Sequence, residues 1–207
     1  EERRGRWRGR LGVWGSKKTW AWEEIMSLVG KLEFATAVIR PGTAFLRRIR
    51  GIMMGMKDAR EKGKLKAGFL KRLNSEALLD VRWWLDVFLT STGNRRSIHE
   101  PLPITDEKME LYTDACGTGY GARYSRRWFQ GNWTQAQLDF AKVNVHISMP
   151  YLELHALTHA AVVWGHLWFG KTIVFRCDAE AAVVAVQKMR SRRDSMSALL
   201  RLLYATA

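Results

Sequence analysis

The chain has 207 residues, of which 47% are hydrophobic and 11% aromatic; this fills one large core or two small ones and excludes a disordered chain. Its 34 Lys and Arg against 20 Asp and Glu leave a net charge of +14, which points to a polyanionic partner, either nucleic acid or an anionic membrane surface. The main stretch free of acids and of Lys and Arg, residues 154–170, is 17 residues long and holds three histidines, which makes it a poor membrane span.

The first ten residues, EERRGRWRGR, carry no apolar h-region or cleavage signature of a signal peptide. Two cysteines give no disulfide framework and fit a reducing, intracellular compartment, whether cytoplasm or nucleus. A first residue other than Met and a last run, ALLRLLYATA, that reads as an unfinished helix suggest a fragment of something longer.

Residues 1–20 form a basic arm or linker, with seven Lys and Arg, two Glu, and Trp7, Trp14 and Trp20 interleaved. Such an arm can track a phosphate backbone while its indoles stack on bases, or it can be a solvated linker whose tryptophans pack on a neighbouring domain. Next comes a helical pattern: Thr19 can cap, Glu23 and Glu24 suit a first turn, and Ile25, Leu28, Val29, Leu32, Ala35 and Ile39 recur at helical spacing. Pro41 stops it. Thr43 begins a second helix through AFLRRIRGIMM, followed by GMKDAREKGKLKAG as a loop. A third helix starts near Asn74 or Ser75 and buries Ala77, Val81, Trp84, Leu85 and Phe88. Residues 21–90 thus read as a small all-helical unit, and residues 91–107 as a linker.

Residues 108–207 have a different texture. MELYTDAC, GARYS and RWFQGNW predict a three-stranded antiparallel meander. A long helix from about Pro150 to Trp168, the strand TIVFRC, the helix EAAVVAVQKM and a last helix from about Ser195 complete an α/β order with a mixed sheet.

Three acids in this part stand where a carboxylate is costly. Asp114 lies inside an apolar strand, Asp178 closes another, and Glu153 falls in the stripe Ala156, Leu157, Ala160, Trp164, Leu167 and Trp168 that should pack on the sheet. No Lys or Arg shares that helix face, so a divalent, oxygen-preferring cation is the simplest way to satisfy three converging carboxylates. The competing account is local: Asp178 caps a helix, Asp114 bonds the GTG turn, and Glu153 sits near a helix N-terminus. GTGYG lacks the third glycine and the following helix of a dinucleotide fingerprint. His155, His159 and His166 share a helix face opposite Glu153; a separate zinc site there is an alternative to simple exposed polar positions. Cys116 shares the strand parity of Asp114 and Cys177 has the parity opposite to Asp178, which argues against a disulfide between them.

LYTDACGTGYGARY, YLELHALTHAAVVWG and IVFRCDAEAAVVAV, in this order, resemble the ribonuclease H domain of retroelement reverse transcriptases. LVGKLEFATAVIRPGTAFLRRI and LLDVRWWLDVF resemble the connection after the polymerase domain in DIRS-type, tyrosine-recombinase retrotransposons. The resemblance covers about residues 22 to 207. It implies a ribonuclease H-like fold behind a helical connection unit, with the family's C-terminal strand missing. It also implies Asp114, Glu153 and Asp178 as catalytic ligands of two Mg²⁺ ions, with Mn²⁺ a possible substitute, and cleavage of the RNA strand of an RNA/DNA hybrid. The turn at Cys116, Gly117 and Gly119 would approach the substrate, and the partners would be the hybrid and the rest of a reverse transcriptase polyprotein, with no membrane. A non-catalytic nucleic-acid-binding remnant is the alternative. Two departures from the family stand out: its fourth acid has only Asp194 as a weak substitute, and Ala179 replaces a polar residue.

Overall fold

The computed structural model describes residues 13–14, 16–17, 19–66, 68–90, 108–143, 148–168 and 171–206. The chain divides into two compact units, Glu1–Arg96 and Ser97–Ala207. Among the described residues there are seven helices and a mixed four-stranded sheet, so the chain is α/β. No described helix is long and apolar enough to cross a membrane.

The first unit is not wholly helical. Thr19–Trp20 (β1) pairs antiparallel with Lys71–Arg72 (β2), so Thr19 is a strand residue and not the expected cap. Helix α1, Trp22–Thr36, is entered instead through Ala21, whose N–H donates to Glu24 Oε2 at 2.9 Å. It ends before Ile39, which lies in the turn leading to Pro41. Trp14 and Trp20 are buried and stack on each other with centroids 3.6 Å apart. The indoles at 14 and 20 are therefore packing groups, unavailable to bases, while Trp7 lies outside the described residues.

Helix α2, Gly42–Glu61, runs through the GMKDARE segment expected to be loop. Met56 lies two turns beyond Ile49 on the same face, and both are buried; that burial outweighs the local glycine content. Helix α3, Ser75–Thr90, is capped by Asn74, whose Oδ1 accepts the Ala77 N–H at 2.8 Å. Ala77, Val81 and Trp84 are fully buried. The Trp84 indole occupies the space over Gly42, where a Cβ would come within 2.1 Å of it; α2 and α3 pack this closely only because residue 42 has no side chain. The side chain of Phe88 and the linker 91–107 lie outside the described residues.

In the second unit β3 (Lys108–Ala115), β4 (Gly119–Tyr124) and β5 (Arg127–Asn132) form the meander, and β6 (Thr172–Arg176) joins parallel to β3. The sheet order is β5-β4-β3-β6. Helix α4, Gln135–Val143, precedes the long helix α5, Ser148–Trp164, which ends in a 3₁₀ turn at Gly165–Leu167. Helices α6, Glu180–Gln187, and α7, Asp194–Thr206, complete the unit. Helix α4 has no counterpart among the elements predicted from the sequence. Its signal is the Thr134-x-x-Gln137 capping box, in which the Thr134 N–H donates to Gln137 Oε1 at 2.8 Å and the Gln137 N–H to Thr134 Oγ1 at 3.3 Å.

Side chains alternate across the sheet. Leu111, Ala122 and Tyr124 pack against Leu157, Ala160, Ala161 and Trp164 of α5 and Leu203 of α7. Tyr112, Arg123, Trp128 and Arg176 are exposed on the opposite face, which no described helix of this unit covers.

Candidate metal centre

Topology brings the candidate acids to one end of the sheet. The last rung of the parallel β3–β6 ladder pairs Tyr112 with Arg176. Two residues further along each chain come Asp114, still within β3, and Asp178, past the end of β6; Asp178 joins the close group of donor atoms described below and Asp114 does not. Cys177, between them in parity, is on the side of Phe175, the side that packs on α5.

Glu153 reaches this point from α5. It is buried, with 3% of its surface exposed, and its Oε1 accepts the Ala115 N–H at 3.1 Å at the end of β3. The Cys177 thiol donates to its Oε2 at 3.7 Å. One donor atom from each of Glu153, Cys177 and Asp178 lies within 4.8 Å of the others. Burial pushes the Glu153 carboxyl above the usual carboxylate range, and the negative charges of Asp178 and Asp114 add to the shift. The Ala115 N–H and, more weakly, the Cys177 thiol oppose it. Among the described residues no cationic side chain pairs with Glu153.

Only one of the three acids is itself buried. Asp114 and Asp178 are exposed, because Asp114 alternates onto the uncovered face and Asp178 lies beyond the strand end. The local accounts of the three acids also fail. Helix α6 is entered at Ala179 without a side-chain cap, the GTG turn closes through the Cys116 N–H donating to the Gly119 carbonyl at 2.9 Å, and Glu153 lies beyond the first turn of α5.

Asp114 faces a depression of about 470 Å³, lined also by Cys116, Thr118, Gly121, Gln130 and Asn132. Gly119 lies there for a packing reason, since a Cβ would come within 2.6 Å of the Gly131 carbonyl oxygen on β5. Gly117 has open space around it. Cys116 is exposed, and its thiol is held below the usual range by the Thr118 hydroxyl first and by the Thr118 and Gly119 N–H groups. Its carbonyl accepts the Trp133 indole N–H at 2.7 Å, which fastens the turn to the small core of Ala115, Ala141, Leu152 and Ala156.

The histidines stay away from this cluster, though not as exposed positions only. His155 packs edge-on against Trp133 and His159 against Tyr120 and Phe129; burial lowers the His155 pKa. His166 is exposed in the 3₁₀ turn. Both cysteines are free thiols. Cys177, not among the site residues predicted from the sequence, is brought to Glu153 by the parallel pairing of β6 with β3. Its signal in the sequence was its position immediately before the strand-closing acid.

The chain matches no protein-family model, no curated protein and no solved structure. The arrangement itself defines an α/β unit with a mixed sheet whose Glu153, Cys177 and Asp178 can bind a metal ion.

Proposed function

We propose that the second unit is a ribonuclease H-type nuclease of a DIRS-like retroelement reverse transcriptase, and that it cleaves the RNA strand of an RNA/DNA hybrid. The observation that carries this reading is Glu153: a buried carboxylate with no cationic partner among the described residues, facing Asp178 at the end of the strand that bears Asp114. Such a group calls for a cation.

Under this reading Glu153 and Asp178 hold divalent ions with Asp114 at the rim, and the ions are Mg²⁺, two in number. When bound they supply a nucleophilic hydroxide and neutralise charge on the scissile phosphate. The protein's own part is to hold its ligands still. The Ala115 N–H fixes Glu153 Oε1, and the sheet fixes the ends of β3 and β6. The depression beside Asp114 admits a backbone, and the net charge of +14 draws it in. The first unit is read as the connection that follows a polymerase domain.

The test is cleavage of a hybrid labelled in its RNA strand by the 207-residue chain, with Mg²⁺ and with chelator. Mg²⁺-dependent cleavage is expected, reduced by about 100-fold or more in Glu153→Gln and Asp178→Asn. Hybrid binding without cleavage, or cleavage unchanged in both variants, would overturn the nuclease assignment; the first outcome leaves a nucleic-acid-binding unit.

A further inference from the structure

Cys177 changes which ions the cluster prefers. A site of carboxylates alone is selective for hard cations such as Mg²⁺, whereas a thiolate among the ligands favours softer ones. We propose that Glu153, Cys177 and Asp178 form a binding site for one thiophilic divalent cation of the zinc class. This site uses two of the acids assigned above to Mg²⁺ but stands on its own geometry, and it holds whether or not the chain is a nuclease.

The distances suit such an ion. With Zn–S of about 2.3 Å and Zn–O of about 2.0–2.2 Å, two tetrahedral ligands, one sulfur and one oxygen, lie about 3.6 Å apart. Cys177 Sγ is 3.7 Å from Glu153 Oε2. That separation is long for a hydrogen bond between these atoms and close to the edge of a zinc tetrahedron. All three donor atoms fall within 4.8 Å of one another, so small rotations of Asp178, which is exposed, complete three ligands. Its exposure leaves the fourth position to water.

Burial supports the same conclusion. Glu153 Oε2 points into the cluster, and its one hydrogen-bond donor among the described residues is the thiol itself. A cation would replace this weak S–H donor and supply the charge that the buried carboxylate lacks. Glu153 Oε1 stays anchored on the Ala115 N–H, so one oxygen is held by the sheet while the other is free to bind metal. Cys116 has no such surroundings: its thiol is exposed and contacts the Thr118 hydroxyl at 3.3 Å.

Two measurements test the proposal. In the unaltered chain, Zn²⁺ should protect Cys177 from alkylation by iodoacetamide, located by mass spectrometry, while Cys116 stays reactive and Mg²⁺ at the same concentration protects neither. Cadmium, used as a spectroscopic probe, should give an ultraviolet thiolate-to-metal charge-transfer band that saturates at one ion per chain. The band should be lost in Cys177→Ser, kept in Cys116→Ser, and require about tenfold or more cadmium to saturate in Asp178→Asn. Equal alkylation of Cys177 with and without Zn²⁺ would overturn the proposal, and so would a cadmium band that persists in Cys177→Ser. The alkylation result does not depend on a variant folding. A failed nuclease assay with an intact cadmium band would remove the function proposed above and leave this site standing.

Discussion

Replacing Glu153 by Gln isolates the electrostatic argument from the catalytic one. Glutamine keeps the shape of the side chain and an oxygen to accept the Ala115 N–H, but removes the buried charge. The donor atoms of Glu153 and Asp178 lie within 4.8 Å, where two unit charges repel by about 3.5 kcal/mol at an effective dielectric of about 20 and about 0.9 kcal/mol at about 80. Asp178 is exposed, so the relief falls between these limits, about 1–3 kcal/mol. For a unit of this size that raises the metal-free melting temperature by roughly 4–12 °C.

The sign carries through to pH. The Glu153 carboxyl is raised in the folded state, so the folded protein binds its proton more tightly than the unfolded chain does. The contribution of Glu153 to the stability of the metal-free wild type is therefore most favourable below the ordinary carboxylate pKa and is lost as pH rises through the folded value. The advantage of Glu153→Gln should grow as pH rises through the folded value and vanish in acid. A saturating divalent cation should invert the order, since it stabilises the protein that has both carboxylates. The assay is scanning calorimetry of the chain in chelator across this pH range. A variant that melts at or below the wild-type temperature throughout the alkaline end of this range would refute the view that Glu153 is buried without a compensating cation.

Three further outcomes follow from the same structure. Leu111→Ala, at a site with 0% exposure between the sheet and α5, should cost about 2–5 kcal/mol in denaturant unfolding; a loss below 1 kcal/mol would mean that β3 is not central. Gly119→Ala places a methyl 2.6 Å from the Gly131 carbonyl oxygen and should cost about 1–3 kcal/mol, with faster hydrogen exchange along β4 and β5; normal protection there would contradict the close strand approach. The logarithm of the hybrid affinity should fall linearly with the logarithm of salt concentration, because 23 basic against 14 acidic residues lie in residues 1–110 and 11 against 6 in residues 111–207; a salt-independent affinity would exclude phosphate tracking.

Local pattern was enough for most elements of the second unit. The alternation in LYTDAC and GARY, and the apolar stripe around Glu153, reflect side chains that must share one face, and that requirement is written along the chain itself. The same local cues misled where a distant contact decided the outcome. The glycines and lysines of GMKDARE suggest a loop, yet the segment is helical because Met56 is buried beside the face of Ile49. Thr19 is a good cap by type, but its backbone pairs with Arg72, more than fifty residues away.

The candidate centre shows the same division. Residue types and spacing singled out Asp114, Glu153 and Asp178, because a carboxylate among apolar neighbours stands out in the sequence alone. Which of them meet was decided by β6 pairing parallel with β3. That pairing sets Cys177 and Asp178 beside Glu153 and leaves Asp114 outside the group, exposed on the uncovered face. Strand parity describes each strand separately; it says nothing of which neighbour a strand takes. Neighbour choice depends on which side chains share one core: Ile173 and Phe175 of β6 pack against the cluster that Leu111 of β3 forms with α5, and only the folded chain contains that contact.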